Sequence, residues 1–98
     1  MEDKDIYMLF SSLAEKAELN NEPLREVFKI LIQCALRYRD NVLRDTGIVV
    51  TVEDVRSALD WLLPALQTGR LPRADNEISL NLLKLWLDEL KLRSPSLH

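Results

Sequence analysis

The chain has little of what catalytic sites and stapled domains are usually built from. Its 98 residues hold one cysteine, one histidine, two glycines and four prolines. A single cysteine, Cys34, permits no intrachain disulfide and no thiolate metal cluster, so a reducing, cytoplasmic setting is the expectation. His98, the only histidine, stands at the last position, and a Ser–His–acid or Cys–His pair built on it is not expected. Gly47 and Gly69 stand alone, which excludes a glycine-rich phosphate cradle. No metal, cofactor or catalytic residue is expected. The carboxylates fall at helix caps or on polar faces, where no burial would tune them for acid–base work, so the reading is that of a non-enzyme.

Membrane signals are equally sparse. The opening "MEDKD" is not a basic region followed by an apolar stretch, so a secretory leader is not expected. The greasiest run, "ISLNLLKLWLDELKL" from Ile78 to Leu92, is broken by Lys84, Asp88, Glu89 and Lys91 and cannot cross a bilayer. The formal charge is −3. Residues 1–24 carry two lysines against six acids, whereas residues 25–73 carry eight basic groups against six acids. An excess of two in the middle is too small for a nucleic-acid footprint by itself.

What is abundant is leucine, 20 residues of the 98, in long stretches without breakers. With 47% apolar and 30% charged residues the composition is that of a folded globular protein. Periodicity predicts an all-α fold, a single helical domain over 1–98 in which four main helices form a bundle of antiparallel neighbours. The first helix covers roughly Asp5 to Leu19, with Ile6, Leu9, Phe10, Leu13 and Ala17 on one stripe. "NNEP" (Asn20 to Pro23) separates it from the second, where Pro23 suits a first turn. The second helix runs from about Pro23 to Arg44 or Asp45 and ends at Gly47. Leu24, Phe28, Leu31, Ala35, Tyr38 and Val42 form its seam, flanked by Ile32, Leu36 and Leu43. Glu26, Lys29, Gln33, Arg37, Asp40 and Arg44 form its wet face. Cys34, at the edge of the seam, reads as core filler.

Thr51 is the candidate N-cap of the third helix, with Asp54 reaching back as in a shortened capping box and Val50 and Val55 at staple spacing. Loss of the Thr51 hydroxyl should cost about 1 kcal/mol. Val55, Leu59, Leu62 and Leu66, with Ala58 beside them, give this helix its face. Pro64 removes the N–H that Asp60 would accept from, so a kink or restart is expected there. Gly69 ends the element, Pro72 blocks its continuation, and Asp75 or Asn76 caps the fourth helix.

On a helical wheel the fourth helix has a polar stripe of Asn81, Lys84, Asp88 and Lys91. Leu80, Leu82, Leu83, Trp86, Leu87 and Leu90 fill a core-facing arc of about 160°, interrupted by Ser79. Ile78, Leu85 and Leu92 stand outside that arc, seven residues apart. This second apolar line is a surplus. It either meets another helix of the same chain or marks a protein interface. Burying three such side chains is worth about 5–8 kcal/mol before the entropy cost of association. A protein partner or a homodimer follows as the expectation, the function being that of a small adaptor, regulatory or assembly subunit.

Arg37, Arg39 and Arg44 on the second helix, with Arg70 and Arg73 in the loop, are the candidate anion-binding residues. Their plainer role is solvated charge balanced by Asp40, Asp45 and Asp60. A helix-turn-helix reading of "TVEDVRSALDWLLPALQTGRLPRADN" lacks the glycine expected in its turn, and the helix after it is apolar rather than basic, so nucleic acid is disfavoured. One stretch does carry a resemblance. "ALRYRDNVLRDTGIVVTVEDVRSAL" (Ala35 to Leu59) resembles the end of the central helix, the second loop and the third helix of the histone fold. The match lies in the Arg/Asp-rich helix end, the β-branched Val49, Val50 and Thr51, and then Asp54, Val55, Ala58 and Leu59. It covers about a quarter of the chain. "ELNNEP" is too short and polar for that fold's first loop strand, and the run to Gly47 is longer than its second loop allows. The resemblance implies an obligate dimer formed by interlocked chains.

Overall fold

A computed structural model describes residues 2–16, 22–71 and 76–93 of the chain. Among them all regular structure is helical: α1 (Asp3–Lys16), α2 (Glu22–Thr46), α3 (Val52–Thr68) and α4 (Glu77–Arg93). The all-α expectation of four helices holds. Residues 17–21, and with them Asn20 and Asn21, lie outside the described residues, as do Pro72, Arg73 and Asp75.

Local chemistry explains each boundary. α1 starts two residues earlier than expected, because Glu2 and Asp5 close its first turn. The Glu2 N–H donates to Asp5 Oδ2 at 3.0 Å, the reaching-back half of a capping box, while the Asp5 N–H donates to the Glu2 carbonyl at 3.1 Å. α2 and α3 end alike. Gly47 and Gly69 adopt φ of 73° and 70°, the left-handed conformation that a glycine reaches without a Cβ penalty. Before each glycine a threonine ties off the last turn. Thr46 Oγ1 donates to the Val42 carbonyl at 2.7 Å and accepts from the Ile48 N–H. Thr68 Oγ1 does the same between the Pro64 carbonyl, at 2.9 Å, and the Arg70 N–H. These hydroxyls serve backbone groups that the end of a helix leaves without partners.

The chain does not restart at Pro64, which lies inside α3. Asp60 and Pro64 are both on the exposed side, where water can serve the carbonyl that the proline ring leaves without a donor. Asn76 is the cap seen at the start of α4. Its Oδ1 accepts from the Ile78 N–H at 2.9 Å.

The helices group into two units, residues 1–52 and residues 53–98. In the first, Ile6, Leu9 and Phe10 of α1 and Leu31, Cys34 and Ala35 of α2 are buried, as is Val50 beyond the end of α2. The Phe10 and Phe28 rings meet edge to face, with centroids 5.6 Å apart. Arg39, late in α2, pairs with Asp3 at the start of α1. Moving forward along α1 therefore means moving backward along α2, and this pair is antiparallel as its short connection predicts. The whole wet face assigned to α2, from Glu26 to Arg44, is exposed. The β-branched run at residues 49–51 forms no strand.

In the second unit, Val55, Ala58, Leu62 and Ala65 of α3 and Ser79, Leu82, Leu83 and Trp86 of α4 are buried. The face expected for α3 is corrected in its last turns. Ala65 is covered, Leu59 is half-buried and Leu66 is exposed. Alanines seven residues apart, at 58 and 65, leave room on that line for bulkier neighbours. The α3–α4 pair also departs from the antiparallel expectation. Asn76 Nδ2 donates to Asp54 Oδ1, and Ser79 Oγ donates to the Asp54 carbonyl at 2.8 Å. The start of α4 thus lies beside the first turn of α3, not beside its last.

Candidate interaction surface

The fourth helix divides largely as its periodicity predicts. Asn81, Lys84, Asp88 and Lys91 are all exposed, and Leu82, Leu83 and Trp86 have no solvent contact. Leu80, Leu87 and Leu90 are half-buried. Ser79, the interruption in the apolar arc, is buried because its hydroxyl is spent on the Asp54 carbonyl, which removes the cost of hiding it. The surplus line is graded. Ile78 and Leu85 are half-buried, and Leu92, at the C-terminal end, is 77% exposed. No other large hydrophobic among the described residues is as open. Elsewhere in the same unit, Leu63 and Leu66 on α3 are more than half exposed.

A second surface, not foreseen from the periodicity, lies in the first unit. α1 and α2 border an open groove of about 240 Å³. Tyr7, Phe10, Ser11 and Ala14 line it from α1, and Arg25, Phe28, Lys29 and Ile32 from α2. Each set follows the i, i+3, i+4, i+7 pattern of one helix face. The signal was present in the sequence but divided, since Tyr7 stands one position beyond the α1 core stripe and Lys29 belongs to the wet face of α2. The edge-to-face aromatic pair makes the floor, and both charged residues of the described lining are basic. Lys29 shares an exposed ion pair with Glu26 at 3.1 Å, a kind of contact that exchanges easily.

The candidate anion-binding arginines differ in their immediate surroundings. Arg39 is taken up by carboxylates. Its Nη1 meets Asp3 Oδ1 at 2.5 Å and its Nη2 meets Asp40 Oδ1 at 2.8 Å, with the side chain only 16% exposed. The hydrogen bond to Asp3, foremost, raises its already high pKa against the opposing effect of burial, so the group is a fixed cation. Arg44 pairs with Asp45 at 3.1 Å. Arg37 and Arg70 are exposed, and Arg73 lies outside the described residues.

Asp54 is the residue whose role the sequence disguised. Besides standing at cap spacing from Thr51, it is buried, and its carboxylate takes the amide of Asn76. It sits at the N-terminal ends of two helices, in the first turn of α3 and beside the start of α4. Asn76 in turn caps α4, so one amide both closes that helix and ties it to α3.

No described helix is long and apolar enough to cross a membrane, and no group of three or more potential metal ligands is found among the described residues. In comparisons with known proteins, no family model, no curated protein and no solved structure matches the chain.

Proposed function

We propose that this chain is a non-catalytic protein–protein interaction module, a small adaptor, regulatory or assembly subunit, which binds a partner or itself through α4. The observation carrying the reading is the graded apolar line of Ile78, Leu85 and Leu92, which runs from half-covered to 77% exposed outside the helix's core-facing arc. A large aliphatic side chain left that open beside two partly covered ones costs hydration free energy until something covers it. Leu85 is the centre of the proposed contact, and Ile78 and Leu92 are its ends. The nucleic-acid alternative has less support, because Arg39 and Arg44 already face acids. The single cysteine, Cys34, favours a reducing compartment such as the cytoplasm.

The test is position-specific photo-crosslinking in cells that make the full chain. A photoreactive residue replacing Leu92 should give a discrete adduct, either with itself or with one other protein. The same residue replacing Lys84, on the polar stripe, should give none. Equal yields from the two positions, or no adduct from position 92, would overturn the reading.

A further inference from the structure

The open end of α4 and the groove of the first unit are complementary in three respects. Length is the first. The groove is bounded by seven-residue spans on each wall, Tyr7 to Ala14 and Arg25 to Ile32, and seven residues of helix rise about 10.5 Å. Leu85 and Leu92 are separated by the same seven residues. The second is polarity, since an aromatic and aliphatic floor suits a line of leucines. Charge is the third. Among the described residues, Arg25 and Lys29 are the only charged ones lining the groove, while Asp88 is exposed next to the Leu85–Leu92 line, three residues after one leucine and four before the other.

Resting on the interaction-module reading and deepening it, we infer that the last turns of α4 in one molecule dock into the α1–α2 groove of a second copy of this chain. Leu92 is the anchor, Leu85 lies against the groove beside it, and Asp88 meets Arg25 and Lys29. The contact joins two different surfaces. It therefore closes as a reciprocal dimer or continues as an open chain of subunits, and the mass at saturation distinguishes the two.

Sedimentation of the full chain, with charge reversal on each side, tests the inference. Arg25→Glu with Lys29→Glu should weaken self-association about tenfold or more, as should Asp88→Lys. All of these side chains are exposed, so the folded state should be unaffected, which circular dichroism checks. Combining the two reversals in one chain should restore association above that of either alone, because the pairing is re-formed with opposite sign. Leu92→Glu should abolish association, and no charge reversal should rescue it. A chain that stays monomeric at every concentration would overturn the inference, as would losses from the two reversals that merely add. If the position-92 crosslink leads to a different protein, the second-copy assignment fails while the interaction-module reading stands.

Discussion

The two helix pairs of this protein are held by opposite chemistry. α1 and α2 meet through an aromatic edge-to-face contact in the interior and through an ion pair from Arg39 to Asp3, whose carboxylate stays largely in water. α3 and α4 meet at their first turns through a polar clasp, in which Asp54 receives the amide of Asn76 and the hydroxyl of Ser79. The first arrangement rests on apolar burial and a solvated ion pair, which tolerate small shifts in register. The second is specific, since a hidden carboxylate and a hidden hydroxyl must each find a partner or cost the full penalty of burial. The clasp thus fixes where α4 begins relative to α3. It also fixes which side of α4 the buried Ser79 line occupies and which side carries Leu85 and Leu92.

This contrast can be broken at graded cost, read from urea midpoints of the purified chain. Trp86 is the largest fully buried side chain, and Trp86→Ala should cost about 3–5 kcal/mol, the most of the set. Asn76→Ala removes a helix cap and leaves Asp54 without its amide, for an expected loss of about 2–3 kcal/mol. Asn76→Asp sharpens the point, because aspartate is an equally good cap but places a second carboxylate against Asp54. That variant should be weakened at neutral pH and should recover relative to wild type on acidification. Protonating either carboxylate removes the repulsion between them. A variant no weaker than wild type at neutral pH would mean that Asn76 matters only as a cap. Ser79→Ala should cost about 1 kcal/mol, the net worth of one buried hydrogen bond. Asp3→Ala should be smallest, about 0–1 kcal/mol, since its carboxylate is solvated and Arg39 keeps Asp40. If Asp3→Ala proved costlier than Ser79→Ala, the ranking of the two kinds of contact would be reversed.

Legibility in the sequence follows the same division. Faces governed by burial alone were readable, as the polar stripe of α4, the wet face of α2 and the α1 line of Ile6, Leu9 and Phe10 show. Stops governed by backbone conformation were readable too, because a residue with φ near 70° at the end of a helix selects for glycine, as at 47 and 69. The paired Thr46 and Thr68 repeat the same device beside both glycines, a regularity that only the hydrogen bonds make plain. The clasp was hidden because its members are 22 and 25 residues apart and each has a sufficient local explanation. Asp54 looks like half of a cap, Asn76 like a cap, and Ser79 like a flaw in an apolar arc. Leu66 was misassigned because the covered line runs through Ala58, Leu62 and Ala65, which leaves Leu59 half-buried and Leu66 exposed at its edge. The groove escaped notice because its lining is divided between a core stripe and a polar face on two helices.

The central claim is that the open end of α4 is a docking element whose receptor is a second copy of the same chain. Molar mass of the wild-type chain across a concentration series, from micromolar to millimolar, tests it most directly. The expected result is a rise from the monomer mass of 11.4 kDa towards twice that value or beyond, lost in Leu92→Glu without loss of helix content. A mass that stays at 11.4 kDa throughout, with Leu92 as open in solution as it is in the structure, would contradict it.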